Sequence, residues 1–540
     1  MLPWTVWAED ALVKVFPDSR PASEELPVVR IEAARNETEA GQVVILPTDQ
    51  HLAHVRLLPP LLRHQEGDFV IDTVQVRWVG FVRVRARTPN TPFEHLVRKP
   101  PGLFPDPLFD EPEVDIRKDF AQPVWLNVTV PAEAPPGRYR GTARIQAGKE
   151  QEVPVELQVY DATVPDRRTL KVTNWCSFEN IARYHGLEAW SEEHWTLLAA
   201  YARNMAAHRQ NVILTPLFSL IEFRAEGDRL ACDFSRFDRF VQVFREAGVI
   251  GYIEGGHLGG RATGEWTCPH FAIQTRHLEG DRVVAGWATA GSPEAEAFLA
   301  QFLPALQGHL EERGWLDRYW QHLADEPIAE NAASYNALVA AVRRHAPRLR
   351  IIEANHCHDL APIEVWVPQL NYWHEDLDFY RDRQQRGEEV WFYTCLAPTG
   401  TYPNRFIDYP LLKVRLLHWL NFHYGATGYL HWGYNHWRGF DAFLDVEPVH
   451  GPDRCLPPGD HCIVYPGRRG PVDSIRFEAL RDGVEDYELL QQLAARDESQ
   501  ARQISGTLIR DFNDCETSVL AFRAARRRLL EALVLLNASA

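Results

Sequence analysis

From about Leu170 onward, eight short apolar runs alternate with stretches of helical spacing. The runs are Leu170–Trp175, Val212–Leu217, Val249–Gly255, Tyr319–Ala324, Leu349–Glu353, Val365–Leu370, Val390–Thr394 and Gly428–Trp432. Between them lie Trp195–Gln210, Phe237–Ala247, Glu294–Arg313, Ser334–His345, Asp376–Arg386 and Leu411–His423, with apolar residues three and four apart. Strands that alternate with amphipathic helices read as parallel units covered by their own connections. Eight of them predict a (β/α)8 barrel of the TIM type.

The first ~165 residues have another texture, with short alternating runs bounded by Pro, Gly and Asp. Val28–Ile31, Gln42–Leu46, Thr73–Val84, Val124–Val130, Tyr139–Ile145 and Glu152–Tyr160 predict a β-sandwich, with a turn at Pro135-Pro136-Gly137. Ser474–Ala495 and Gln500–Leu536 have helical periodicity, and the Pro- and Gly-rich stretch 451–470 precedes them. The expected organisation is a β-sandwich over residues 1–166, a barrel over 167–450, and a loop with C-terminal helices packed on the barrel over 451–540.

The net charge of −17 opposes a nucleic-acid surface and an anionic membrane, and leaves a neutral or cationic ligand. No run is long and apolar enough to cross a bilayer. The start, Met1-Leu2-Pro3-Trp4-Thr5-Val6-Trp7, lacks the basic and apolar regions of a secretory leader. The eight cysteines show no repeated framework. These features lead us to expect a cytoplasmic protein; a trimmed form of a secreted one fits as well, and so does a homo-oligomer. No cofactor motif is present: Gly255-Gly256-His257-Leu258-Gly259-Gly260 lacks the Lys-Ser/Thr of a phosphate loop and the spacing of a dinucleotide fold. It reads as a loop that lets backbone approach closely. His356-Cys357-His358-Asp359 has no second ligand cluster at a metal spacing, so no metal is expected.

A barrel collects its chemistry at the C-terminal ends of its strands. There the fourth run stops on Asp325-Glu326-Pro327. Adjacent carboxylates separate their proton affinities, because ionising one disfavours ionising the other. Such a pair can supply one anion and one proton donor. Asp, Glu and Pro also suit the first turn of a helix, but the position at a strand end favours catalysis. The other strand ends bring Asn174, His257, Asn355, His356, Asn371, Tyr372, Tyr393, Trp432, Asn435 and Trp437 to the same mouth. Aromatic faces beside Asn, His and carboxylates suit a sugar, with its C–H faces and hydroxyls.

The chain resembles glycoside hydrolase family 123, the β-N-acetylgalactosaminidases and their relatives. The likeness rests on Ala34-Arg35-Asn36-Glu37-Thr38-Glu39, on Pro123 to Pro131 with Pro136-Gly137-Arg138-Tyr139-Arg140-Gly141, and on Asn204 to Asn211. It continues through Asp325-Glu326-Pro327 and Arg476-Phe477-Glu478-Ala479-Leu480-Arg481-Asp482-Gly483-Val484-Glu485-Asp486-Tyr487-Glu488. The resemblance implies a sandwich before a barrel and retaining hydrolysis in which the sugar's 2-acetamido oxygen attacks the anomeric carbon. It would make Asp325 the acetamido stabiliser and Glu326 the acid/base. Two rivals stand beside it: a conventional retaining glycosidase with Glu353 as nucleophile, and a carbohydrate-binding protein without turnover. The charged residues of the last stretch can equally be a salt-bridged helix start.

Overall fold

The computed structural model describes residues 2–22, 26–249, 251–437, 441–451 and 454–538. Ile250, inside the expected third strand, and Pro452 and Asp453, in the expected loop, lie outside the described residues. The chain divides into two compact units, one of residues 171–394 with 425–432 and one of residues 1–170, 395–424 and 433–540.

In the first of these units the eight apolar runs form eight strands. They are β1 (Lys171–Asn174), β2 (Val212–Thr215), β3 (Tyr252–Gly255), β4 (Tyr319–Gln321), β5 (Arg350–Asn355), β6 (Val365–Pro368), β7 (Glu389–Val390 with Phe392–Tyr393) and β8 (Gly428–His431). β2 through β7 pair successively and in parallel, and β8 pairs in parallel with both β7 and β1. The Asn211 amide donates to the Val172 carbonyl at 3.3 Å, and Asn211 Oδ1 accepts from the Val172 amide at 2.9 Å. These bonds tie β1 to the approach of β2, so the strands follow one another in the order of a (β/α)8 barrel. Val212, Ile213, Ile351, Ile352, Val365 and Val367 are fully buried. Their branched side chains suit a pleated surface covered on both sides. One connection departs from the pattern, because residues 356–364 join β5 to β6 without a helix.

Two insertions were not anticipated. A hairpin, Glu222–Glu226 with Arg229–Asp233, follows β2. A three-stranded antiparallel sheet, Gly259–Arg261, Phe271–Glu279 and Arg282–Thr289, follows β3. The alternation of Phe271–Glu279 about a Gly280-Asp281 turn was a readable hairpin signal. Its first strand grows from the Gly-rich segment. The Leu258 and Gly259 amides donate to the Leu323 carbonyl at 3.1 and 3.2 Å, which lays this segment beside the end of β4.

The other unit holds the expected sandwich. One sheet orders Trp4–Asp10, Thr38–Pro47, Gln122–Thr129, Val74–Val84 and Gly102–Phe109; the other contains Val29–Arg35, Glu150–Thr163, Gly137–Gln146, Leu52–Leu58 and Val114–Ile116. Val43, Ile45, Val124 and Leu126 of the first share a core with Ile31, Tyr139, Val155 and Leu157 of the second. The same unit contains the helices Leu411–Tyr424, Ile475–Gly506 and Val519–Ala538. The tail, expected with the barrel, thus groups with the sandwich.

A buried ionic lattice ties the tail to the sandwich. Arg415 is wholly buried and meets Asp486 at 2.6 Å, Asp482 at 3.3 Å and Glu39. Arg526 meets Asp486 at 2.9 Å and Glu37, while Arg481 meets Asp482 at 2.6 Å and Glu478. Arg476 pairs with Asp106 at 2.8 Å. The charged residues of the 34–39 and 476–488 stretches therefore face each other.

Candidate active site

β4 ends at Gln321, and the chain then runs through His322, Leu323 and Ala324 to the acidic pair. Glu326 has a φ of 51°, a left-handed conformation that residues with a Cβ rarely adopt. Its carboxylate Oε1 accepts from His356 Nε2 at 3.1 Å and from the Tyr393 hydroxyl, and His356 Nε2 lies 2.5 Å from that hydroxyl. His356 follows β5 and Tyr393 ends β7, so two strand ends converge on one carboxylate oxygen. Burial alone would raise the Glu326 pKa. The His356 and Tyr393 contacts and the nearby Arg261 charge outweigh it and hold Glu326 below the usual carboxylate range.

Asp325 approaches a different side chain, His257, which follows β3. The Asp325 side chain is 46% exposed, and its Oδ1 lies 3.7 Å from His257 Nε2. Desolvation among its neighbours pushes its carboxyl up to about 6, opposed by His257 and reinforced by Glu326 and Glu353. The pair thus separates its proton affinities as adjacent acids should. The directions run against the acid/base role that the resemblance gives Glu326: the surroundings raise Asp325 and lower Glu326.

Beneath the pair runs a buried chain of charges. His322 Nε2 lies 2.6 Å from Glu254 Oε1, and His322 Nδ1 lies 2.9 Å from Glu353 Oε1. Burial would lower the pKa of His322, but the two carboxylates outweigh it and push it up to about 10, so the ring is an imidazolium. Glu254 also accepts from Thr173 Oγ1 at 2.7 Å and Trp175 Nε1 at 3.0 Å. Glu353 accepts from the Leu323 and Ala324 amides at 2.9 and 3.2 Å and from the Tyr335 hydroxyl at 3.1 Å. Against the cost of burial, His322 and His257 hold Glu353 down at about 2. His257 Nε2 stands 3.5 Å from Glu353 and links this chain to Asp325. His257, His322 and Glu353 are ligand types a metal accepts, and their ligand atoms lie within 4.8 Å of one another. Both nitrogens of His322 are already engaged by carboxylates, which suits an ion-pair chain rather than a metal centre.

The structure gathers His257, His356, Tyr372 and Tyr393 with the acidic pair. The Tyr372 ring meets His356 edge-on, with centroids 4.7 Å apart. Trp432 follows β8 and stays partly exposed. Asn371 is partly exposed and accepts from Gln369 at 2.5 Å. Asn174 and Asn355 are sealed in the strand ring, where they donate to Gln210 at 3.1 Å and to the Tyr380 hydroxyl at 3.0 Å. Asn435 and Trp437 belong to the sandwich unit and are buried there. Trp437 donates to the Val464 carbonyl at 2.8 Å, and Asn435 bridges to Cys462.

Sequence reasoning missed Arg261 and Trp266. Arg261 donates through Nη1 to the Asp325 carbonyl at 3.1 Å, through Nη2 to the Glu326 carbonyl at 2.7 Å, and through Nε to the Trp266 carbonyl at 2.8 Å. Its guanidinium lies over the Trp266 ring, 4.1 Å from the centroid. Trp266 is half-exposed and meets His356 edge-on at 5.3 Å. No local pattern announces them, since Arg261 reads backbone rather than side chains. Among the described residues no helix is long and apolar enough to cross a membrane.

A family model described as glycoside hydrolase 123, catalytic domain, matches residues 175–493, and one for the glycoside hydrolase 123 N-terminal domain matches residues 16–147. A search of curated proteins finds no match. A solved family 123 glycoside hydrolase from Clostridium perfringens, studied for glycolipid glycan hydrolysis, is similar along 98% of this chain and 98% of its own, with 17% identity and a TM-score of 0.78. A Bacteroides ovatus GH5 xyloglucanase covers 86% of this chain and 99% of its own, at 11% identity and a TM-score of 0.30, too low to bear on the fold.

Proposed function

Because the chain belongs to glycoside hydrolase family 123 and is therefore a glycoside hydrolase, we propose that it is a retaining exo-enzyme that releases terminal β-linked N-acetylhexosamine. N-Acetylgalactosamine is the first candidate sugar, and the substrate's own acetamido group is the nucleophile. One observation carries this reading: Asp325 and Glu326 reach the site, while Glu353, the rival nucleophile, is fully buried and held by His322, two amides and Tyr335. A two-carboxylate mechanism needs a second acid that can touch the anomeric carbon. Glu353 cannot do so without leaving four partners. Tight packing of acids against one another also has little use in a protein that only binds sugar.

In this mechanism the acetamido oxygen attacks C1 as the C1–O bond to the leaving group breaks. Glu326 passes its proton to the departing oxygen, and Asp325 accepts from the acetamido N–H and offsets the positive charge of the oxazolinium. Water then adds to C1 and returns a proton to Glu326. The directions of the two shifts have to invert for this. An acetamido N–H on Asp325 favours its anion. A Tyr393 hydroxyl that turns from Glu326 to the acetamido carbonyl removes a donor from Glu326 and raises its pKa. Both changes move the proton to Glu326.

The test is a pair of aryl glycosides, an aryl β-N-acetylgalactosaminide and the matching β-galactoside, with the β-N-acetylglucosaminide to read the C4 epimer. Turnover of the acetamido sugars alone is expected; equal hydrolysis of the plain galactoside would overturn acetamido assistance.

A further inference from the structure

We infer that Arg261 is a positioning residue that fixes the backbone of Asp325 and Glu326 and so aims both carboxylates. The inference rests on the reading of this pair as the reacting acids. A left-handed Glu326 is unfavourable in isolation. Something must hold it, and among the described residues the one side chain that bonds the carbonyls of both acidic residues is Arg261, at 3.1 and 2.7 Å. A guanidinium is a rigid planar fork, so two parallel bonds set the relative orientation of two successive peptide groups; a lysine ammonium cannot.

The arginine is itself held in place. Its Nε bonds the Trp266 carbonyl, and its plane rests on the Trp266 ring. Its backbone is registered against β4's end, because Gly259 bridges Ala324 in parallel two residues before Arg261 and Glu326. Gly259 also lets the strand that carries Arg261 lie close against Phe271–Glu279, since a Cβ there would stand 1.9 Å from the Ala272 carbonyl oxygen. Among the described residues no carboxylate side chain pairs with Arg261. Its charge therefore acts on the site as well as on the backbone, and it adds to the groups that favour the Glu326 anion.

Arg261→Lys and Arg261→Met separate the fork from the charge. Both are assayed as full-length protein on the aryl glycoside that wild type cleaves, with Glu326→Gln as control and melting temperature as the index of folding. Arg261→Met is expected to lower kcat by about 100-fold, the cost of misplacing reacting groups by about an ångström. KM should change far less, and the alkaline limb of kcat/KM should move to higher pH as the charge is lost. Arg261→Lys should lose kcat with the limb unmoved. Wild-type kcat in folded Arg261→Met overturns the inference, as does a lowered melting temperature with kcat per folded molecule unchanged. If Arg261→Met does not fold, Arg261→Lys decides, and wild-type kcat there overturns it too. Full activity of Glu326→Gln would instead overturn the reading of the acidic pair.

Discussion

Each compact unit buries an ionic network, and the two differ in how they end. In the sandwich unit, Arg415, Arg481 and Arg526 face Glu37, Glu39, Glu478, Asp482 and Asp486, and none of these residues is more than 4% exposed. In the strand ring, Glu254, His322 and Glu353 are as deeply buried, but the chain continues through His257 to Asp325, whose side chain is 46% exposed. Acidity is perturbed in both. Burial pushes Glu37 and Asp482 up to about 7, further than the about 6 of Asp325. A displaced pKa therefore does not mark the reacting group by itself. What marks it is a displaced acid with an open side, next to a second acid whose donors come from other strand ends. The sealed network holds the fold, and the open one holds a carboxylate ready for a ligand.

The largest expected effect tests that division of labour. Arg415→Met leaves Glu39, Asp482 and Asp486 buried without their shared cation, and removing one partner from such a pair costs about 3–5 kcal/mol. Loss of folded protein or a strongly lowered melting temperature is expected. Glu326→Gln should behave in the opposite way, melting like wild type while activity on a poorly activated leaving group falls by about 10³-fold. Wild-type melting of Arg415→Met would show the lattice to be energetically idle. Strong destabilisation by Glu326→Gln would make the open network structural as well.

The same contrast explains what the sequence could disclose. The eight strands were legible because Val, Ile and Leu runs buried on both faces leave a local pattern. His257, His356, Tyr372 and Tyr393 were legible once strand ends were located, since position alone brings them to the pair. Asn174 and Asn355 sit at strand ends too, but their amides satisfy buried neighbours, and spacing cannot tell an inward from an upward side chain. Asn435 and Trp437 follow β8 within six residues, yet the chain has by then entered the other unit. The 476–488 stretch was visible as a motif but ambiguous in role, because its meaning depends on Glu37 and Glu39, more than 400 positions away. Arg261 left no trace, for its partners are carbonyls that every residue possesses.

A smaller effect concerns the pH dependence of catalysis. The pair works with one proton between its members. Below the depressed pKa of Glu326 both acids are protonated and the stabilising anion is lost; above about 6 the last proton leaves and the acid is lost. The profile of kcat/KM, which reports the unliganded enzyme, should fall on its alkaline side near pH 6. The profile of kcat reports the complex, where the acetamido contacts have moved the proton to Glu326, and its alkaline limb should lie higher. Coincident limbs would mean that substrate does not redistribute the proton, and would sever the open network from its proposed use.

The smallest effect belongs to the sealed network. Glu37 is raised from 4.5 to about 7 by burial, with Arg526 opposing and Glu39 reinforcing the rise. Between these values the folded protein keeps a proton that the unfolded chain releases. By linkage, this residue's contribution makes stability decline as pH rises from about 4.5 to 7, and leaves it level above. Other groups titrate in the same range, so the informative quantity is a difference between proteins. Glu37→Gln can still accept from the Ala34 amide, as Glu37 Oε2 does at 2.6 Å, and never ionises. Its melting temperature relative to wild type should therefore rise as pH climbs from 4.5 to 7 and then hold steady. A constant difference would mean that Glu37 stays ionised throughout, with Arg526 dominating its burial. In that case Glu37 would be a charged member of the sealed lattice, and its contrast with the proton-sharing pair at the site would be sharper still.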